Sequence, residues 1–135
     1  MPSSIFELTS AVAVAPVSAK NRPVKAAADE ATTLTAAECV QGIVTMTPTA
    51  GRALTTPTGA ALKTFFDGRL EVGASFELTV VNVAASSYAI TLTAAASGIA
   101  LGGVAGMATV AAASSATYVF VCTAVGTPAF TVYRK

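Results

Sequence analysis

Residues 75–93, with the sequence SFELTVVNVAASSYAITLT, decide the fold of this chain. Phe76, Leu78 and Val80 lie at alternate positions, and the same spacing returns at Tyr88, Ile90 and Leu92 after a connection that contains two serines. Apolar residues at alternate positions line one face of a β-strand, because successive side chains point to opposite sides of it. The stretch therefore predicts two strands, each with one buried face, joined by a loop.

Later segments repeat this alternation. Tyr118, Phe120 and Cys122 are spaced by two positions, and Phe130 and Val132 follow the same spacing. Glycine, proline, serine and alanine clusters separate these runs. Short strands at regular intervals are typical of two-layer β-sandwiches and jelly rolls.

The uncharged residues 98–113, GIALGGVAGMATVAAA, allow two interpretations, a membrane helix or a pair of short strands. The segment is shorter than the roughly 20 apolar residues that a helical span needs. Its four glycines would each weaken a helix. We therefore expect short strands near residues 99–101 and 108–110, and no membrane segment.

Two short helical turns are predicted in the first half of the chain. Thr35 and Glu38 have the spacing of a capping box, and Gly42 can end the turn that this box opens. Thr58 is a predicted N-cap for a helix over residues 59–66 that the following Asp-Gly pair would stop. Between these turns, the β-branched segment 43–47 and the segment 52–55 predict two further strands.

These elements together predict an all-β fold. We expect a jelly-roll-like β-sandwich of about eight short strands with one or two short helical turns. The sandwich domain should cover residues 31–135. Residues 1–30 are expected to form an extended N-terminal arm.

The N-terminal arm contains three prolines and three of the eight basic residues of the chain between positions 20 and 25. It could be a disordered tail, but its apolar content is higher than is usual for one. The alternative is an arm that becomes ordered against a neighbouring subunit or a capsid. The candidate contact residues of this arm are Ile5, Phe6, Leu8, Val12, Val14, Val17, Arg22 and Lys25.

The composition argues against several functions. The chain is 53% hydrophobic and only 11% charged, its net charge is +1, and it contains no histidine. Without clustered Lys and Arg it has no basic surface for nucleic acid. Without histidine it lacks the commonest general base and a leading metal ligand. We therefore expect no enzymatic activity, no cofactor, no metal site and no nucleic-acid partner.

Cys39 and Cys122 are far apart in the sequence and show no CxxC spacing. A disulfide is possible between them, but two free buried thiols are the favoured prediction.

The last strands are unusual because both of their faces are apolar or carry threonine. The outer face of a sandwich normally contacts water and is polar. Either this face is a subunit interface, or it is a weakly polar Ala- and Thr-rich surface. The candidate interface residues are Val119, Val121, Thr131 and Tyr133.

Four segments of the chain resemble a module of viral structural proteins. They are TLTAAECVQGIVTMTPTAGRALTTPTGAAL at 33–62, VGASFELTVVN at 72–82, YAITLTAAASGIAL at 88–101 and TPAFTVYRK at 127–135. In this order they are similar to small capsid decoration (cement) proteins and head-fibre modules of tailed bacteriophages and some large DNA viruses. The resemblance covers roughly residues 32–134.

The resemblance implies a jelly-roll subunit, commonly trimeric, that binds the major capsid protein lattice on the outside of the shell. It implies a virion location after assembly in the host cytoplasm, an N-terminal arm that reaches neighbours, and no catalytic residues. A fibre or spike module that binds a host-surface ligand such as a glycan is the alternative. For that role Tyr88, Tyr118, Tyr133 and the phenylalanines would have to supply the aromatic surface.

Overall fold

The computed structural model describes residues 21–135, and this part of the chain is mostly β-structure. It contains two short α-helices, α1 at Ala36–Gln41 and α2 at Gly59–Phe66, and one 3₁₀ turn at Ala105–Ala108. The described strands are β1 Lys25–Ala26, β2 Thr32–Thr33, β3 Ile43–Met46, β4 Arg52–Thr55, β5 Ser75–Asn82, β6 Ile90–Thr93, β7 Ile99–Leu101, β8 Thr109–Val110, β9 Ser114–Ala124 and β10 Ala129–Arg134.

The strands form two sheets, as expected for a sandwich. The large sheet has the order β1-β3-β5-β9-β10-β7, and the small sheet has the order β2-β4-β6-β8. The prediction of a mostly β fold in two layers is confirmed. The described residues form ten strands, two more than the sequence predicted, because several are only two residues long and too short to show an alternating pattern.

The first six strands alternate between the two sheets, so the chain winds through both of them three times. Because of this winding, β1, β3 and β5 pair side by side in parallel in the large sheet. Strands β2, β4 and β6 pair in the same way in the small sheet. Five of the eight strand pairs within the described residues are parallel. Such a parallel arrangement differs from the antiparallel strands of a jelly roll.

Strands β9 and β10 close the large sheet with antiparallel pairs. The eleven-residue β9 pairs along its length with β5 on one side and with β10 on the other. Its inward residues alternate as the sequence predicted, with Tyr118, Phe120 and Cys122 buried. Strand β9 is therefore the central element that joins the wound part of the chain to its C-terminal strands.

The two helices begin and end as the sequence predicts. Thr35 and Glu38 form both hydrogen bonds of a capping box, and Gly42 ends α1 in the left-handed conformation with φ 101°. The hydroxyl of Thr58 accepts a hydrogen bond from Ala61 N–H at the start of α2. Both helices connect the small sheet back to the large sheet at the same end of the molecule.

The core lies between the sheets and beneath α2. Its aromatic part is continuous, because Phe76 stacks on Phe120 at a centroid distance of 4.8 Å and contacts Phe66 and Phe130. Full burial of a large apolar side chain contributes about 2–3 kcal/mol. The largest fully buried side chains are Phe120, Phe130, Leu34, Leu54, Leu62, Leu78, Ile90, Leu92, Val44, Val80, Val110 and Val132.

One sequence prediction needs correction. The alternating pattern placed Tyr88 in a strand with Ile90, but Tyr88 precedes β6, is exposed and has a φ of 78°. The jelly-roll-like part of the fold prediction is not confirmed, because period-two alternation specifies a buried face and not the pairing partner. The predicted strands within residues 98–113 are present as β7 and β8.

Part of the predicted arm belongs to the large sheet. Strand β1 lies within residues 1–30 and pairs with β3 through Lys25 and Ala26. The division of the chain at residue 30 stays a prediction. Among the described residues, no helix has the length and apolar character that crossing a membrane requires.

Candidate assembly interface

The outward surface of the large sheet, called the outer face below, is formed by alternate residues of its strands. On each strand these residues alternate with buried ones such as Leu78, Phe120 and Val132. The outer face comprises Ala26, Ile43, Thr45, Ser75, Glu77, Thr79, Val81, Ala100, Ser115, Thr117, Val119, Val121, Thr131 and Tyr133. It is therefore built mainly from β-branched and small side chains.

The four predicted interface residues lie together on this outer face. Val121 pairs with Thr131 across β9 and β10, and Val119 pairs with Tyr133 one step further along the same strands. Val119, Val121 and Thr131 are half-buried by their neighbours, while 50% of Tyr133 is exposed. The structure thus brings these residues into one continuous patch, and their role as an interface stays a prediction.

The ring of Tyr133 has a defined place beside β7. A Cβ atom on Gly102 would lie 2.6 Å from Cε1 of Tyr133, so the ring occupies the space that a side chain would need. The Gly102 N–H donates a hydrogen bond to the carbonyl of Val132, which keeps the two backbones close. Glycine at position 102 therefore lets the ring of Tyr133 pack against the backbone of the chain next to β7.

Charge is sparse on the outer face. Glu77 lies opposite Val119, and its carboxylate binds Lys135 Nζ at 3.0 Å. Both side chains are well exposed, so this ion pair adds little to stability. The charges lie to one side of the patch formed by Val119, Val121 and Tyr133.

The predicted arm residues are only partly described. Ile5, Phe6, Leu8, Val12, Val14 and Val17 lie outside the described residues. Arg22 is exposed. Lys25 makes an ion pair with Glu38 of α1 at 2.9 Å, so its ammonium group contacts its own subunit. Both residues are at the β1 side of the large sheet, several strands away from Tyr133.

The small sheet presents a different outward surface. Thr33, Thr55 and Thr93 form one cross-strand row, and Thr91 and Thr109 lie in the next row. These hydroxyl groups can bind water directly. The small sheet therefore has the polar outward face that a sandwich normally shows, whereas the outer face of the large sheet carries Val119, Val121 and Tyr133 among its threonines and serines.

Four loops meet at the end of the molecule opposite the helices, and we call this surface the loop end. They are residues 27–31, 47–51, 83–89 and 111–113. The buried Asn82 donates hydrogen bonds to the carbonyls of Tyr88 and Val110 and accepts one from Ala84 N–H. A shallow cleft beside Tyr88 is lined by Thr47, Thr49, Ser86 and Ser87.

A second polar network ties the loop end together. The Asp29 carboxylate accepts hydrogen bonds from Arg52 Nε at 2.8 Å, from the Thr49 hydroxyl at 2.6 Å and from Thr49 N–H at 3.0 Å. The hydrogen bond from Arg52, followed by those from Thr49, lowers the pKa of Asp29 to about 2. This network holds loop 27–31 against loop 47–51.

Sequence reasoning missed an exposed apolar group next to β7. Leu101 is 41% exposed, Val104 73% and Met107 37%, and they lie beside a small cavity of about 50 Å³. The alternating pattern assigns apolar residues to the core, so exposed ones at a sheet border cannot be recognised from it. The sequence feature that could have indicated this group is the run of residues 78–133 without a charged side chain.

Both cysteines are free and buried in the core, as predicted. Burial raises the pKa of the Cys39 thiol to about 12, so this thiol stays protonated at neutral pH. Within residues 21–135, no cluster of three or more Cys, Asp or Glu side chains is placed to hold a metal ion.

Comparison with known proteins finds no matching family model, no similar curated protein and no matching solved structure. The resemblance to capsid decoration proteins therefore stays a prediction from the sequence.

Proposed function

We propose that this protein is a non-enzymatic structural protein that decorates the exterior of a viral capsid as a homotrimer. The observation that carries the proposal is the outer face, where Val119, Val121 and Tyr133 form a continuous patch at outward-facing strand positions. Apolar side chains on an outward sheet face are stabilised when a second protein surface removes them from water. The outer face would thus be the contact between subunits.

The capsid role rests on the sequence resemblance, and the energetics of a lattice make it reasonable. A protein that binds only the assembled shell stabilises that shell by mass action. Each contact can be weak, because many copies bind neighbouring sites of the same lattice. The N-terminal arm, through Ile5 to Val17 and Arg22, would add contacts to the major capsid protein or to the next subunit. The proposed location is the surface of the virion.

We also propose that the subunit is jelly-roll-like in its overall shape. A two-layer β-sandwich with loops at one end and short helices at the other has two flat outward faces, as a jelly roll does. The order and direction of its strands are those described above. The proposed lattice contacts depend on the faces and not on the strand order.

Binding to shells tests the capsid role directly. Undecorated shells assembled from the major capsid protein of the same genome are mixed with the wild-type protein and sedimented. We expect saturable co-sedimentation, which should weaken in Val119→Lys because a charge on the outer face would disrupt the trimer. Thr91→Lys, which places the same charge on the outward face of the small sheet, is the matched control. Wild-type protein that stays in the supernatant would refute the capsid role.

The contribution of the arm to shell binding is tested with a deletion shorter than the whole of residues 1–30. Lys25 and Asp29 are held by Glu38 and Arg52, so their removal would disturb the folded part. A chain that lacks residues 1–20 keeps both contacts. We expect this chain to bind shells more weakly than the full chain. If the shortened chain and the full chain bind shells equally well, the arm does not contribute to binding. The proposal would then rest on the outer face alone.

One observation favours the alternative function, a fibre or spike module. Tyr88 is 53% exposed at the loop end, its backbone is held in a strained conformation by Asn82, and hydroxyl groups of Thr47, Ser86 and Ser87 surround it. Aromatic rings with neighbouring hydroxyls suit the apolar faces and polar edges of sugars. Binding on a glycan array that is lost in Tyr88→Ala, without affinity for shells, would support this alternative.

A further inference from the structure

The four edge strands of the described sheets differ in length and in charge. Strands β1, β2 and β8 are two residues long, and β1 carries the charged Lys25. Strand β7 is three residues long, and its sequence Ile-Ala-Leu contains no charged or proline residue. Proteins usually protect edge strands with charges, prolines or bulges, because unpaired backbone groups can pair with another chain. Strand β7 is short, but it has no charged residue, no proline and no bulge.

The register of β7 shows which of its backbone groups face outward. Phe130 N–H donates to the carbonyl of Gly98, and Gly102 N–H donates to the carbonyl of Val132. In this parallel pair, positions 98, 100 and 102 of the edge strand face β10. The N–H and C=O groups of Ile99 and Leu101 therefore point away from the sheet, and within residues 21–135 they have no hydrogen-bond partner. Four backbone groups are ready to pair with another strand.

The surroundings of this edge are apolar on both sides. Leu101, Val104 and Met107 are exposed on the side towards the small sheet, and Tyr133 borders the outer face. Arg134 is the nearest cation, and its guanidinium donates hydrogen bonds to the carbonyls of Met107 and Thr109. An added strand would thus meet apolar side chains on the side of the small sheet, and Ala100 with the ring of Tyr133 on the outer face.

We propose that β7 pairs with β7 of a second copy of this chain, antiparallel, about a two-fold axis at Ala100. In this register Ile99 faces Leu101 of the second copy, and the two residues exchange both backbone hydrogen bonds. The symmetric pair of Leu101 and Ile99 does the same, which gives four hydrogen bonds in all. The two large sheets then form one continuous sheet across two molecules.

The geometry and charge of this edge favour a second copy over another partner, because the edge is complementary to itself. Donors and acceptors alternate so that a two-fold rotation places each donor opposite an acceptor. The small side chain of Ala100 lies on the axis, where two strands approach most closely. An uncharged edge meets no like charge when it faces its own copy. The apolar residues Leu101, Val104 and Met107 would meet their equivalents.

This contact goes beyond the proposed function and is separate from the outer face. It uses the border of the large sheet rather than its surface, so a subunit can make both contacts at once. A three-residue strand pair is weak alone and gains strength where many copies are held side by side. On a shell, the pair at β7 would link one oligomer to the next.

A cysteine at position 100 tests the proposal in the full chain. Across the two-fold axis the Ala100 residues form a non-hydrogen-bonded pair with Cα atoms about 4.5 Å apart. This separation is within the range that a disulfide can bridge. We expect Ala100→Cys to give a disulfide-linked dimer under mild oxidation, seen on a non-reducing gel. The native thiols of Cys39 and Cys122 are buried and should not contribute.

Thr131→Cys is the matched control, because Thr131 is the outer-face neighbour of Ala100 on the adjacent strand. In the proposed geometry the two Thr131 residues lie on the order of 14 Å apart, which is too far for a disulfide. We expect this variant to stay unlinked. Crosslinking of Thr131→Cys as fast as Ala100→Cys would refute pairing at the edge. A failure of Ala100→Cys to crosslink would refute it as well.

A second substitution distinguishes strand pairing at β7 from nonspecific association. Leu101 N–H does not bond to β10, so Leu101→Lys or Leu101→Pro in the Ala100→Cys background leaves the pairing within the subunit intact. We expect either change to abolish the crosslink while the circular dichroism spectrum is retained. If the thiol at position 100 stays unlinked and also does not react with iodoacetamide, another segment, such as residues 1–20, covers the edge. That result would overturn the proposal. The result does not depend on shell binding, so its failure is distinguishable from failure of the proposed function.

Discussion

At the scale of single residues, Asn82 holds the loop end together. Its side chain is fully buried and makes three hydrogen bonds, to Tyr88, Val110 and Ala84. Asn82→Ala would leave these backbone groups without partners in a buried place. We expect a loss of about 2–4 kcal/mol of unfolding free energy, measured by urea denaturation. Ser86→Ala in the exposed part of the same loop should change it by less than about 0.5 kcal/mol.

Asp29 makes stability depend on acid pH. Its folded-state pKa of about 2 lies below the ordinary value of 3.8, so the charged carboxylate stabilises the fold above about pH 4 and this contribution is lost as pH falls towards 2. We expect Asp29→Asn to unfold at lower urea than wild type at pH 6. The difference should shrink steadily towards pH 2. An equal difference at both pH values would show that the ionised carboxylate is not responsible.

Single residues also mark a limit of prediction from sequence. The alternating pattern assigned Tyr88 to a strand because it lies two positions before Ile90. The structure places it in a left-handed turn, because the Asn82 side chain takes the carbonyl of Tyr88 as a hydrogen-bond acceptor. That contact joins residues six positions apart through a buried amide. A local sequence pattern therefore cannot predict this contact.

At the scale of elements, the capping box of α1 is the clearest case in which sequence specifies structure. The hydrogen bond from Thr35 N–H and the ion pair with Lys25 lower the pKa of Glu38. Thr35→Ala removes the N-cap hydroxyl, and we expect it to cost about 1 kcal/mol of unfolding free energy. Glu38→Gln keeps an oxygen that can accept from Thr35 N–H, so its cost should be smaller. Thermal unfolding of both variants checks this order, and the reverse order would contradict it.

The other elements were predictable to different degrees. Strands β5, β9 and β10 are long enough to show period-two alternation, so their existence and buried faces follow from the sequence. Strands β1 and β2 have two residues each and exist only because a neighbouring strand offers hydrogen bonds. The alternation also says nothing of the pairing partner, which explains why the parallel stacking of β1, β3 and β5 was not predicted.

At the scale of the whole molecule, the two sheets have different outward surfaces. The small sheet shows rows of threonine, while the large sheet has threonine together with the patch formed by Val119, Val121 and Tyr133. The sequence predicted this patch, because a strand with apolar residues on both faces must place one set outward. The exposed residues Leu101, Val104 and Met107 were not predicted, because their exposure depends on β7 being at the edge of the sheet.

The solution mass of the full chain tests the central claim most directly, that the outer face joins subunits. Light scattering is measured in the Leu101→Lys background, so that pairing at β7 does not add to the mass. We expect three times the 13.4 kDa of one chain. Adding Val119→Lys should reduce the mass to that of one folded subunit, and adding Thr91→Lys should leave it unchanged. A monomer without either change, or a mass that Val119→Lys leaves unaltered, would contradict the claim.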